Sequence, residues 1–207
     1  WGAPTAWGCA LNYPDKVTAV GCLSVPFMPR PPMAPIPMMR QIFKDQFFYQ
    51  VYFQTEGVAE AEFEKDIRTG LKKFMIYASA QTDLASMPLK GPDDDLLTGL
   101  PNPVELPDWL SEADLQFYVD EFTASGFRGP INYYRAQDLT WELTKDAPTE
   151  IHQPAMFAAG DKDGVVLMAG EAIKAMPTYV KDLRISEMIP GVGHWTQQEA
   201  PEATNDV

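Results

Sequence analysis

Basic residues are scarce in this chain. Sixteen lysines and arginines face 29 aspartates and glutamates, a formal charge of −13 over 207 residues. Such a surface repels phosphate backbones, and no lysine–arginine cluster offsets it, which argues against nucleic-acid binding and polybasic docking to a membrane. No run approaches the roughly 18 apolar residues of a membrane span. Two cysteines, Cys9 and Cys22, cannot build a disulfide framework. Both read as small packing residues, and their scarcity fits an intracellular, reducing compartment, the cytoplasm. With only two histidines, His152 and His194, no metal-ligand spacing exists. Also missing are an initial methionine and a signal-type n-region. The chain starts at Trp1 and stops just after Ala200–Thr204, which reads like the approach to an uncompleted helix. The expectation is a segment of a longer protein. What is present is an ordinary globular balance, 45% apolar and 22% charged.

Residues 3–13 predict a helix, with Pro4 in its first turn and Ala6, Cys9, Ala10 and Tyr13 at helical spacing. Residues 17–25 are small or β-branched and uncharged, as in a strand buried on both faces of a parallel sheet. Residues 25–40 then hold six prolines and four methionines, which predicts an extended linker or domain boundary. An aromatic-rich stretch covers 41–54. A long helix is expected over 58–77 and a Pro/Gly/Asp loop over 88–108, with Asp93–Asp95 solvated. Ser111–Asp114 forms a capping box that opens a helix stopped by Gly126. Another helical stretch covers 131–144. After Pro148 the α/β grammar returns: a strand at 155–159, a Gly-Asp-Lys-Asp-Gly turn, a helix over 168–176, a strand over 183–189 and a Pro-Gly-Val-Gly-His loop. The reading is an α/β core at 1–27 and 149–207 interrupted by a mainly helical insert at 28–148.

Functional groups of α/β sheets sit beyond the carboxyl ends of strands. Asp163 follows the strand at 155–159 and His194 follows the strand at 183–189. They are 31 residues apart, one strand–helix–strand unit, so the spacing predicts neighbouring strands. Alone, Asp163 reads equally as a turn aspartate and His194 as a structural histidine. As a pair they read as an imidazole base held by a carboxylate. Such a dyad needs a nucleophile, which in the α/β-hydrolase order comes first, on a sharp turn between strand and helix. The first helix begins at Ala3 or Pro4, so that residue would stand immediately ahead of Trp1.

Trp1–Pro4, Phe48–Gln54, Gly57–Glu62, Ser125–Arg135 and Gly193–Gln197 together resemble soluble epoxide hydrolases of the α/β-hydrolase fold, over nearly the whole chain. The resemblance implies a core sheet interrupted by a helical lid, with the N-terminal strands and last helix outside this segment. It implies an aspartate nucleophile just before Trp1, so the segment alone is expected to be inert. It assigns Tyr49 and Tyr134 as lid phenols that bind the epoxide oxygen, and His194 as the base that activates water, oriented by Asp163. The Trp1 backbone N–H would help form the oxyanion hole. Trp195, Phe27 and Met28 are weaker candidates for the substrate pocket, and Met33, Met38 and Met39 could edge an apolar channel or simply pack. The residue types suit the reaction. Epoxide opening creates an alkoxide, which needs a proton or hydrogen bond, and a phenol of pKa about 10 remains a donor at neutral pH. Attack by a carboxylate makes an ester, and its hydrolysis needs an activated water. No metal or organic cofactor is required; the partners are a small apolar epoxide and water. On periodicity alone Tyr49 and Tyr134 read equally as lid core, and His152 as a loop residue. A haloalkane dehalogenase, using the same histidine but ring N–H donors, is one alternative. A non-catalytic ligand-binding relative is the other.

Overall fold

The computed structural model describes residues 1–207. In chain order the elements are α1 (Gly2–Asn12), β1 (Val20–Leu23), α2 (Pro35–Ile42), α3 (Tyr49–Tyr52), α4 (Val58–Glu64), α5 (Ile67–Ala78), α6 (Glu112–Ser125), α7 (Arg128–Arg135), α8 (Gln137–Leu143), β2 (Ile151–Gly160), α9 (Gly164–Met168), α10 (Gly170–Tyr179), β3 (Val180–Ile189), α11 (Thr196–Glu199) and α12 (Pro201–Asn205). None of the helices is long and apolar enough to cross a membrane. Two compact units result. One comprises Trp1–Arg30, Ala78–Thr82 and Asp146–Val207, the other Pro31–Tyr77 and Asp83–Lys145.

The first unit is built on a three-stranded sheet in the order β1-β2-β3, with both pairings parallel. The central strand β2 buries Phe157, Ala158 and Ala159 completely. Consecutive buried positions mean that both faces are covered, as an uncharged run in a parallel sheet requires. Full burial of Phe157 contributes about 2–3 kcal/mol relative to leaving it exposed. Trp7 and Ala10 of α1, Val20, Cys22, Phe27, Ile151, Met176 and Val180 complete the core. The Trp7 indole N–H donates to the Val25 carbonyl at 3.1 Å, so its one polar atom is satisfied. Sequence periodicity put Cys9 and Tyr13 on the inward stripe of α1. Both are exposed, and the inward stripe is Ala3, Ala6, Trp7 and Ala10.

The second unit is helical. The proline-rich segment over 25–40, expected to be an extended linker or domain boundary, contains the junction of the two units between Arg30 and Pro31, but its end is not extended: Pro35–Ile42 is a helix. Pro35 and Pro37 fall in its first turn, where backbone N–H groups lack helical partners anyway. The helix expected over 58–77 is broken between Glu64 and Ile67. There Asp66 accepts the Thr69 N–H at 3.1 Å and caps a new start. Helix breaks at Ala136 and Ala169 likewise divide the predicted stretches over 131–144 and 168–176. The capping box at Ser111 and Asp114 and the stop at Gly126 are both present.

A nearly buried ion pair holds this unit. Arg135 donates to both carboxylate oxygens of Glu60, at 2.5 and 2.9 Å, and its Nε donates to the Phe53 carbonyl at 2.8 Å. The Arg135 bonds and the Gly57 N–H hold the Glu60 carboxyl below its ordinary range. A depressed native value means the stabilisation is complete above the free glutamate value of about 4.3 and is lost as pH falls through the native value. Arg135→Met, which strands a buried charge, is expected to destabilise by about 3–5 kcal/mol at neutral pH. Thermal unfolding followed from neutral pH into acid should show that deficit shrinking as Glu60 is protonated, first in the variant, which lacks the guanidinium that holds the carboxyl low.

Candidate active site

The loops that leave β2 and β3 are tied to one another. Gly160 ends β2, and a Cβ there would lie 2.0 Å from the Val192 carbonyl oxygen, so only glycine permits the approach. Lys162 N–H donates to that same carbonyl at 2.9 Å, and Gly191 N–H donates to Asp161 Oδ1 at 2.8 Å. Parallel pairing of β2 with β3 and this stitching bring Asp163 to His194.

Asp163 does two things at once. Its Oδ1 accepts the Val165 N–H at 2.8 Å, capping α9, and its Oδ2 lies 2.9 Å from His194 Nδ1. The Asp163 side chain is 1% exposed and the His194 side chain 29%. A carboxylate only accepts hydrogen bonds, so in the neutral imidazole Nδ1 carries the proton and Nε2 is left with its lone pair. That is the tautomer a general base needs. Trp195 sets its ring edge-on to the imidazole, with centroids 5.2 Å apart and planes at 77°.

The backbone of His194 is fixed as well. Its N–H donates to the Ala78 carbonyl at 2.9 Å, and its carbonyl accepts the Ser24 hydroxyl at 2.8 Å. Ser24, just past β1, is buried and has φ +65°, the one non-glycine residue with positive φ. A serine in this region is strained, and strain of this kind collects at functional sites. No local sequence signal singles out Ser24, because its partner lies 170 residues away.

Tyr49 and Tyr134 belong to the second unit and meet there. Their ring centroids are 5.6 Å apart at 81°, and Phe53 packs edge-on to both. Tyr133, which sequence spacing could not separate from Tyr134, is 55% exposed. The Tyr49 oxygen accepts the Gln50 side-chain N–H at 2.8 Å, and Gln50 in turn accepts from Gln137 at 2.8 Å. Accepting this bond polarises the phenol as a donor. Gln54 ties the two segments by donating to the Gln50 and Tyr134 carbonyls.

The remaining candidates are spread out. Trp1 precedes α1, and its carbonyl accepts from the Thr5 N–H at 3.2 Å and the Thr5 hydroxyl at 3.0 Å. Phe27 sits in the core against Trp7 and Tyr179, whereas Met28 is 54% exposed. His152 is exposed and lies 3.5 Å from Glu150. In the acidic loop, Asp94 and Asp95 accept from nearby backbone N–H groups.

No family model matches the chain. Curated relatives and solved structures do. Epoxide hydrolase A of Mycobacterium tuberculosis is 37% identical over 209 residues, covering 97% of this chain and 63% of its own length. Epoxide hydrolase B of the same organism is 32% identical over 243 residues, covering 99% of this chain and 67% of its own. The structure of an epoxide hydrolase from an endophytic Streptomyces superposes with a TM-score of 0.92 at 36% identity, over all of this chain and 63% of that one. The chain thus spans somewhat under two thirds of the first of these relatives. With a parallel sheet, a helical insert and similarity along its whole length, the chain belongs to the epoxide hydrolases of the α/β-hydrolase fold.

Proposed function

We propose that the protein to which this chain belongs opens epoxides to vicinal diols through an alkyl-enzyme ester. The nucleophile is an aspartate directly ahead of Trp1. It attacks an epoxide carbon, the C–O bond breaks toward oxygen, and Tyr49 and Tyr134 donate to the developing alkoxide. His194, held by Asp163, then removes a proton from water. The resulting hydroxide attacks the ester carbonyl and the acyl–oxygen bond breaks; the proton held by His194 and that of the new carboxylic acid pass to the two diol oxygens, which releases the diol and restores the carboxylate and the neutral imidazole. The Trp1 N–H supports the oxyanion of that second step. Residues 28–148 act as the lid, and the substrate is a small apolar epoxide flanked by Trp195. The free cysteines Cys9 and Cys22 support a reducing compartment, the cytoplasm.

The observation that carries this reading is the pairing of Tyr49 with Tyr134. A His–Asp dyad serves many hydrolases, but two phenols side by side suit an oxygen leaving group rather than a halide. The test is product analysis of the full-length protein with styrene oxide and with a chloroalkane. Diol from the epoxide is expected. Halide release with no diol would replace this reading with dehalogenation.

A further inference from the structure

Glu199 ends α11, five residues beyond His194, and touches none of the reacting groups. Its carboxylate nevertheless collects three backbone N–H groups. Oε2 accepts from Ala80 at 2.9 Å and from Gly193 at 3.0 Å, while Oε1 accepts from Trp195 at 3.0 Å. Two of these donors belong to the residues immediately before and after His194. The third belongs to the segment that also receives the His194 N–H through the Ala78 carbonyl. The approach is close enough that a Cβ on Gly193 would lie 2.3 Å from the Ala80 nitrogen. A carboxylate suits three converging donors, because it offers two oxygens and no competing N–H, and bonds to a charged acceptor are the stronger kind.

We infer that Glu199 is a positioning residue for His194, clamping the backbone on both sides of it so that the imidazole stays in register with Asp163. Nδ1 must point at the Asp163 carboxylate for Nε2 to remain the base, and the ring can hold that pose only if its own peptide units are immobile. Ala78 and Ser24 fix the N–H and carbonyl of His194, and Glu199 fixes the two flanking residues. Removing the carboxylate leaves two flanking donors unpaired and lets the loop pivot. A displacement of about 1 Å at a catalytic group costs up to about a hundredfold in rate. This inference rests on the proposal that His194 is the base of ester hydrolysis, which makes its signature specific to one step. Ester formation does not use His194, so loss of the clamp slows hydrolysis and spares alkylation. A residue needed only for folding would not divide the two steps.

The experiment is single-turnover kinetics of full-length Glu199→Gln with styrene oxide, alongside NMR of the His194 Nδ1 proton. The amide keeps the size but turns an N–H toward at least one backbone donor. Ester hydrolysis is expected to slow at least about tenfold while ester formation stays within about twofold, and the Nδ1 resonance should shift or broaden. Glu199→Asp, which keeps the charge but withdraws it by one methylene, should show a smaller split in the same direction. It carries the test if Glu199→Gln does not fold. Equal slowing of both steps, or unchanged hydrolysis with an unchanged Nδ1 resonance, would overturn the inference. If the wild-type protein forms no ester at all, the functional reading fails, and the Nδ1 comparison still decides whether Glu199 holds His194.

Discussion

Full-length protein carrying His194→Gln is expected to consume about one equivalent of epoxide and then stop. On the proposed mechanism the first step needs only the aspartate, Tyr49 and Tyr134, so the alkyl-enzyme ester still forms. The second step needs a hydroxide, and glutamine cannot take a proton from water at neutral pH. General-base catalysis is worth about 10²–10⁴ in rate, so steady-state turnover should fall by about 10³, or about 4 kcal/mol of barrier. The structure limits the change to chemistry. His194 is held through its backbone by Ala78 and Ser24, and its side chain is partly exposed, so a glutamine fits without opening the core. Intact-mass measurement should show protein plus one substrate mass, and rapid mixing should show a burst without a steady phase. Normal turnover by this variant would remove His194 from the mechanism.

Tyr49→Phe with Tyr134→Phe should act on the opposite step. Each change deletes a hydroxyl and keeps the ring, so the packing of both rings on Phe53 and on one another survives. Removing one donor from an oxyanion site typically costs about 10²–10³. A second donor on the same oxygen partly compensates, so each single variant should lose about tenfold to a hundredfold in alkylation. With both gone the alkoxide leaves with no donor, and the double variant should lose about 10⁴ or more, exceeding the sum of the single effects in free energy. Hydrolysis of ester already formed should be little changed. Single-turnover measurement of alkylation in the three variants checks this. Near-wild-type alkylation in the double variant would exclude the phenols as electrophilic groups.

The two strands that carry Asp163 and His194 were legible because each element leaves a local signature. An uncharged apolar run, glycine-rich turns and a spacing of one strand–helix–strand unit are local features, and they predicted neighbouring strands. Parallel pairing of β2 with β3 and the 2.9 Å contact between Asp163 and His194 are the corresponding structural facts. Helix boundaries were less legible. Proline density over 25–40 masked α2, because composition does not reveal which prolines fall in a first turn. Periodicity ran through Asp66 and Ala136 because a cap or a single break leaves the apolar spacing nearly intact. Tyr49 and Tyr134 stood out only through resemblance, since aromatic clusters read as core until their contacts are known. Ser24 and Glu199 carried no signal. Ser24 meets the histidine loop from 170 residues away; Glu199 is near Gly193 and Trp195 in sequence, but its third donor, Ala80, lies 119 residues away, and only the folded chain converges all three on one carboxylate.

The central claim is that a carboxylate of the protein, not water, attacks the epoxide. Excess full-length enzyme should be mixed with styrene oxide in ¹⁸O-water and the diol analysed after one turnover. If an ester intervenes, the new hydroxyl takes its oxygen from the carboxylate, the heavy oxygen enters the protein, and the first diol is unlabelled. A first-turnover diol already carrying ¹⁸O would mean direct attack by water and would contradict the account.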